Sequence, residues 1–407
     1  MTTVELLRGE ADALKERMIS VRRDLHAHPE LAFKEVRTAG VAAQRLAELG
    51  YEVQTGVGKT GVVGLLDGEK KATHSQVLLL RFDMDALPIL EANDLPYRSA
   101  SDGVMHACGH DAHTSVGLAV ADLLARHRSE WPGTVKIIFQ PAEEIVEGAL
   151  AMIKDGVLNA PKVDRALSMH VDSMLPCGMI GMTDGPVLSA TDDFYITVSG
   201  RGAHGSSPHQ GADPLVGSAQ IITALQTIVT RNVNPLDPAV VSVGYIKGGT
   251  ATNVIPDAVE FGGTIRSYKM EVAALLRERI RAIAEGVAAS LGMRATVAFA
   301  ERVTPPTVND PATAALVRDI ARDLVGADHV SSTHRLMWAE DAAYYLREVP
   351  GAFVFVGAGN PSRGIAEPHH SPRFQIDEDA LPIAAALLSA SALALLNRST
   401  PLQPAGA

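Results

Sequence analysis

Residues 105–113 (MHACGHDAH) hold three histidines, one cysteine and one aspartate. Cys108 and His110 stand two apart, and on extended backbone side chains at that spacing point the same way. A thiolate beside an imidazole suits Zn²⁺ and its borderline neighbours Mn²⁺, Co²⁺ and Ni²⁺. An isolated Cys-x-His is more often a polar loop around a buried cysteine, so the reading depends on what else the chain offers. Glu143 and Glu144 are adjacent, and adjacent side chains on extended backbone diverge. They therefore suit separate roles, one as a ligand and the other facing a water whose pKa an ion has lowered toward ~7. A lone Glu-Glu is usually a solvated acidic turn. The pair His369-His370 ahead of Ser371-Pro372 carries little weight alone, and so do Glu340 and Asp341. His204 and His209 are flanked by glycines in GRGAHGSSPH; that loop could bind an anion through backbone N–H groups or simply turn.

The positions of these residues relative to apolar runs strengthen the case. Segments 77–82 (VLLLRF), 135–139 (VKIIF) and 352–356 (AFVFV) are continuous apolar runs of strand length, and 166–169 is a weaker one. Asp83-Met84-Asp85 follow the first run, Glu143-Glu144 the second, and His170 the weaker one. In an open parallel sheet, ligands collect beyond the carboxyl ends of the strands. Carboxylate, imidazole and thiolate at several such ends are hard to explain by packing. Helical spacing covers 4–25, 38–49 (closed by Gly50), 114–126 and 150–155. Buried strands alternating with helices predict an α/β domain with a mostly parallel sheet and helices on both faces. The rhythm changes after residue 188. Strand 194–198, helix 213–230, strands 240–246 and 258–266, helix 272–291 and strand 295–300 spell β-α-β-β-α-β, the ferredoxin-like α+β unit. The simplest division is a discontinuous catalytic domain, 1–188 and 303–407, interrupted by an inserted domain, 189–302.

Composition narrows the function classes. The 407 residues exceed one ordinary core and suggest two domains. With 46% apolar and 20% charged residues the chain is globular rather than disordered. Its net charge of −11 argues against nucleic acid or an anionic membrane as partner. An anionic small substrate is still allowed, because local charge decides that. Two cysteines, Cys108 and Cys177, exclude a disulfide framework. The charged start, MTTVELLRGEADALKERM, has no apolar signal region. The stretch 383–396 is shorter than the ~20 residues a membrane span needs and contains serines. A cytoplasmic protein is expected. The tail RSTPLQPAGA is expected to fray.

Taken together, these residues resemble a known family. RRDLHAHPELAF (22–33), DMDALPI (83–89), MHACGHDAHT (105–114) and FQPAEE (139–144) are similar to its catalytic-domain motifs. GAHGSSPHQGADP (202–214), NVIP (253–256) and GTIR (263–266) are similar to its inserted-domain motifs. The family is the M20 metallopeptidases, in the branch of N-acyl amino acid amidohydrolases, hippurate hydrolases and auxin-conjugate hydrolases. The resemblance runs in order over 22–374. It implies a binuclear site of two divalent ions (Mn, Zn, Co or Ni) held by Cys108, His110, Glu144, His170 and His370. It makes Glu143 the general base and Asp85 a carboxylate that orients a ligand histidine. His204 would help hold the scissile carbonyl oxygen, and Asn253 and Arg266 would lie near a substrate carboxylate. It also implies a homodimer formed through the inserted domain, with His204 reaching the metals of the other chain. One departure stands out: where the family often has Ser or Gly, then Glu-Asp-Phe, this chain has Ala339-Glu340-Asp341-Ala342. The missing aromatic puts a wall of the substrate pocket in question. Cys177 matches no motif and reads as packing.

The residues and the resemblance lead to the same expectation, hydrolysis of the amide of a small N-acyl amino acid without a covalent intermediate. The rivals are a dipeptidase or carboxypeptidase on the same site, a xenobiotic amide hydrolase, and a metal-dependent binding protein without turnover. The presence of Glu143 beside a full ligand set argues against the last.

Overall fold

The structure is a computed structural model, and it describes residues 2–73 and 75–398. The expected frayed tail lies outside the described residues from 399 onward. The chain forms two compact units. The larger comprises Met1–Val187, Thr307–Arg335 and Glu340–Ala407, and the smaller comprises Leu188–Pro306 and Leu336–Ala339. The short segment Leu336–Ala339, which a division by sequence rhythm assigns to the larger part, thus belongs with the smaller unit.

An eight-stranded sheet organises the larger unit. Its centre is four parallel strands, Thr134–Gln140, Val77–Asp83, Arg165–Pro176 and Gly351–Gly359, in that order. An antiparallel hairpin, Glu52–Val57 with Gly61–Asp67, extends one side. Two short strands, Ile180–Gly181 and Val330–Ser331, extend the other. Parallel strands are covered on both faces, which is why VLLLRF reads as unbroken apolar sequence. The pleat nonetheless sorts their side chains. Leu78, Leu80, Phe82, Ile137, Phe139, Leu167, Met169, Val354 and Val356 join one large core with helices His110–Arg126 and Ala380–Leu396. Alternate positions carry buried polar groups to the opposite face: Arg81, Lys136, Gln140, Ser168 and His170. Helix Ala342–Glu348 covers part of that second face, and its N-cap Asp341 accepts hydrogen bonds from Arg81 and Gln140.

The smaller unit has a four-stranded antiparallel sheet in the order Ala239–Gly248, Ala258–Ser267, Ala190–Ser199, Arg294–Phe299. Helices Pro214–Leu225 and Met270–Ser290 pack on it around a separate core that includes Phe194, Ile196, Phe261, Leu276 and Ile280. The β-α-β-β-α-β order of the sequence is therefore the ferredoxin-like unit.

Two helices are broken where periodicity predicts one. Segment 4–25 divides at Leu14 into Thr3–Ala13 and Lys15–Ala27. The first half packs on the terminal helix and the second on His110–Arg126, so a bend gives each half its own partner. Segment 213–230 divides at Gln226 into Pro214–Leu225 and Thr227–Arg231. There the hydroxyls of Thr223, Thr227 and Thr230 bond back to carbonyls of the preceding turn, which bends helices.

Candidate metal centre

The donor residues converge beyond the carboxyl ends of the central strands. Cys108 and His110 do not sit on extended backbone as the spacing suggested. Gly109 between them is left-handed, with φ of 90°, and His110 is the first residue of helix His110–Arg126. A side chain at 109 would come within 2.5 Å of Val171, so glycine permits both the turn and the approach of the His170 strand. His170 lies within strand Arg165–Pro176. Glu143 and Glu144 occupy the loop after strand Thr134–Gln140. His370 is on a loop, with φ of 66°. Its backbone N–H donates to Ala107 O at 2.8 Å, pinning it beside the Cys108 turn.

These positions bring potential ligand atoms together in overlapping groups: Cys108, His110 and His170; Cys108, Glu144 and His370; His110, Glu143 and Glu144. Cys108 Sγ is 3.4 Å from His170 Nε2, and His370 Nε2 is 3.3 Å from Glu144 Oε2. His110 Nε2 lies 4.0 Å from Glu144 Oε1. That is too far for a hydrogen bond, and both atoms are buried without a partner. Donors ~2.1 Å from one tetrahedral ion stand ~3.4 Å apart, so small movements would let an ion satisfy both atoms. The imidazoles are also presented correctly. His110 Nδ1 donates to Asp85 O at 2.9 Å and His170 Nδ1 to Val171 O at 2.6 Å, which turns Nε2 of each toward the cluster. Nitrogen, sulfur and carboxylate donors together fit a borderline divalent ion.

Charge supports the same fit. Asp83, Asp85, Glu143, Glu340 and Asp341 are buried, and the side chain of Glu144 is nearly so. The guanidinium facing them is Arg81, within 2.9 Å of Asp83, Glu340 and Asp341. With carboxylates in such excess, protons collect. Burial, reinforced by Glu340, Glu144 and Asp341, pushes Glu143 well above the usual carboxylate range. Burial disfavours a charged His110, but Asp83, Asp85 and Glu144 outweigh it and hold this imidazole at about 10. Burial, with the nearby His113 and His369, keeps His170 well below its ordinary value. Burial and the surrounding acids push the Cys108 thiol up. A divalent ion reverses that logic by displacing protons from its ligands.

Asp85 does more than orient one histidine. Its Oδ1 accepts from Glu143 N and its Oδ2 from Glu144 N, each at 3.0 Å. Several neighbours were noted in the sequence but given no role of their own there. Asp83 Oδ1 meets His113 Nδ1 at 2.6 Å, and His113 Nε2 accepts from Val171 N at 3.0 Å. The His113 ring thereby wedges against the rings of His110 and His170, with centroids 5.3 and 4.5 Å apart. The available signal was its position three residues after His110 on one helix face. His369, next to His370, also approaches Cys108, with Nδ1 3.6 Å from Sγ. In the departing segment, Glu340 and Asp341 are ion-paired to Arg81, and the Ala342 that replaces the aromatic is buried.

The remaining candidates lie in the smaller unit. His204 and Asn253 are exposed neighbours, joined through the short pairing of Ala203–His204 with Val254–Ile255. Gly205 N donates to Asn253 O at 2.8 Å. His204 Nδ1 accepts from Ser206 N at 3.1 Å, so the ring proton sits on Nε2 and that nitrogen is a donor. Arg266 is half-buried on strand Ala258–Ser267. Among the described residues its hydrogen bonds run through Nη1, to Thr191, Thr264 and Ile265 O, and none joins it to His204 or Asn253.

The chain is similar to known proteins over most of its length. The sequence profile described as Peptidase family M20/M25/M40 matches residues 79–394. N-acetyl-L-cysteine deacetylase of Bacillus subtilis (strain 168) is 40% identical over 386 residues, 94% of this chain and 89% of its own length. Thermostable carboxypeptidase 1 of Saccharolobus solfataricus is 38% identical, covering 95% of this chain and 97% of its own. A solved Bacillus subtilis protein, described as a dinuclear metal binding peptidase from the M20 family, superposes with a TM-score of 0.81. It is 36% identical, over 95% of this chain and 99% of that one.

Proposed function

The chain belongs to peptidase family M20/M25/M40, and on that premise we propose that it hydrolyses the amide bond of N-acyl amino acids to a carboxylic acid and a free amino acid. The observation that carries this reading is the buried donor set with unpaired His110 Nε2 and Glu144 Oε1 beside Glu143. The deacetylase relative, named for the N-acyl amino acid N-acetyl-L-cysteine, favours this substrate class. The carboxypeptidase relative favours a second reading on the same residues, in which the acyl part is itself a peptide.

Cys108, His110, Glu144, His170 and His370 would hold two divalent ions of the Mn, Zn, Co or Ni type, which supply Lewis acidity and a water that ionises near neutral pH. Glu143 takes a proton from the attacking water and returns it to the leaving amine nitrogen. Asp85 aims Glu143 and Glu144 through their backbone and His110 through its ring. His204, with its proton on Nε2, donates to the developing oxyanion. Asn253 and Arg266 receive the substrate carboxylate, for which a guanidinium fork is suited.

In this reading the larger unit is the catalytic domain and the smaller is the dimerisation and lid domain. The edge strand Ala239–Gly248, with Tyr245 and Ile246 exposed, supports a homodimer formed there. We place the enzyme in the cytoplasm. Both thiols are free, which suits a reducing compartment. Among the described residues no helix is long and apolar enough to cross a membrane.

The test is a substrate panel on metal-stripped protein reloaded with Mn²⁺, Co²⁺ or Zn²⁺. N-acetyl, N-benzoyl and indole-acetyl amino acids should be cleaved, and their methyl esters at the amino acid carboxyl should be poorer substrates. Full activity in protein shown to be metal-free would sink the metal reading. Dipeptides cleaved faster than every N-acyl amino acid would replace the first substrate class by the second.

A further inference from the structure

The loop that bears Glu143 and Glu144 is held in an uncommon shape. Ala142 and Val146 have φ of 54° and 57°, a left-handed conformation that non-glycine residues rarely adopt. Two further left-handed non-glycine residues, Phe33 at 60° and Lys59 at 81°, lie in segments that meet this loop. All three segments converge on Glu35, whose side chain is fully buried. Glu35 Oε1 accepts from Phe33 N and from Ala142 N, each at 2.9 Å. Its Oε2 accepts from Thr60 Oγ1 at 2.5 Å.

The bond to Ala142 matters because Glu143 is the next residue in the chain. Ala142 N goes to Glu35, Glu143 N to Asp85 Oδ1, and Glu144 N to Asp85 Oδ2. Three successive backbone N–H groups thus end on buried carboxylates from distant parts of the sequence. The loop's internal bonds, Val146 N to Glu143 O and Gly148 N to Ala142 O, close its turn but leave Ala142 N to Glu35. Without that acceptor, a buried N–H is unpaired and Ala142 is released from its left-handed conformation. A change of φ there re-aims the side chain of Glu143.

We propose that Glu35 is a positioning residue for Glu143, acting through the backbone of Ala142. The role rests on the reading of Glu143 as the base. It requires hydrogen-bond geometry more than charge. A glutamine at 35 can offer its carbonyl oxygen to the two backbone N–H groups and turn its amide toward Thr60 Oγ1, which then accepts.

The experiment compares Glu35→Leu and Glu35→Gln in the metal-loaded enzyme and in a Glu143→Gln background. Glu35→Leu should lower kcat about tenfold or more, the scale expected when a reacting group is misplaced. KM and bound metal should stay as in wild type, and amide exchange across residues 141–146 should accelerate. Glu35→Gln should recover kcat to within about threefold of wild type, because a change of that size leaves the reacting geometry intact. In the Glu143→Gln background, Glu35→Leu should add no further loss, since the group it positions is already gone. Thr60→Val provides a second, milder variant should Glu35→Leu fail to fold, with a smaller loss of kcat and unchanged metal. The proposal is overturned by a Glu35→Leu protein that is less heat-stable but turns over normally per bound metal. It is equally overturned if Gln harms as much as Leu, if the losses multiply in the double variant, or if Thr60→Val leaves kcat untouched. Should Glu143→Gln alone run at the wild-type rate, the base assignment falls and this proposal with it. The exchange rates across 141–146 would still report whether Glu35 orders the loop.

Discussion

Replacing Asp85 by asparagine tests the centre most sharply, because one carboxylate holds two backbone groups and lies close to a third group, the His110 ring. Its oxygens accept from Glu143 N and Glu144 N at 3.0 Å each, and Oδ1 lies 3.3 Å from His110 Nδ1. Asparagine has one oxygen, so it can serve only one of the two backbone donors. The other faces the amide hydrogens. An unpaired buried N–H costs about 1–3 kcal/mol, and at about 1.4 kcal/mol per decade that is about 5- to 150-fold in an equilibrium constant. The geometry also locates the loss. Only the ion-binding arrangement needs Glu143, Glu144 and His110 fixed together, while ion-free protein can let the turn relax. Metal affinity should therefore fall about 10- to 100-fold, the range typical of groups that orient ligands. Competition titration of stripped protein against a chromogenic chelator measures it, alongside the melting temperature of the ion-free form. An unchanged affinity with a lower ion-free melting temperature would refute the reasoning, since the energy would then belong to the fold and not to the ion site.

Two further outcomes separate chemistry from binding and test the assembly. Glu143→Gln should lower kcat at least about 10²-fold with normal metal content, the scale of general-base catalysis, whereas His170→Ala should lose metal; a Glu143→Gln protein that loses metal but keeps its rate per bound metal would exchange the roles of Glu143 and Glu144. Co-expressed Glu143→Ala and His204→Ala chains, each nearly inactive alone, should regain activity as mixed dimers if His204 serves the neighbouring chain; verified mixed dimers that stay inactive would remove that role.

The parts of the site that sequence revealed are those set by residue type. The Cys108-x-His110 spacing, the Glu143-Glu144 pair and His170 stand out because thiolate, imidazole and carboxylate near apolar runs have few structural explanations; the choice of Glu144 and the inclusion of His370 came with the family resemblance, and the structure draws the five into overlapping groups. The parts it concealed depend on geometry that no periodicity encodes. Cys108 and His110 meet through a left-handed glycine and a helix start, not through a strand pleat. Arg81 sits inside VLLLRF, where it reads as an interruption of a buried strand, and its partners Glu340 and Asp341 are some 260 residues away. Glu35 is one acid among several in a surface-like stretch, yet it is buried and bonded 107 residues along the chain. The β-α-β-β-α-β unit was legible because each element has its own period and length. The helix breaks at Leu14 and Gln226 were not, because partner choice and hydroxyl back-bonding decide them.

The concealed residues and the revealed ones answer the same physical problem. Carboxylates gathered out of water repel one another and would repel a thiolate, and the Arg81 guanidinium alone does not neutralise them. In the ion-free state protons fill the deficit, which is why burial and the neighbouring acids lift Glu143, and why His110 keeps its proton to about 10 against the burial that disfavours its charge. Asp341, raised by burial and Glu340 to about 7 even with Arg81 opposing, belongs to the same set. Ions and protons then compete for one pool of negative charge. Arg81 pairs with Asp83, Glu340 and Asp341, leaving Glu144, His110 and Cys108 for the ions. The backbone bonds to Asp85 and Glu35 keep Glu143 beside those ligands without requiring it to become one. That division accounts for two adjacent glutamates with different tasks, since the same loop must supply one donor to the ions and one carboxylate that stays available to move a proton.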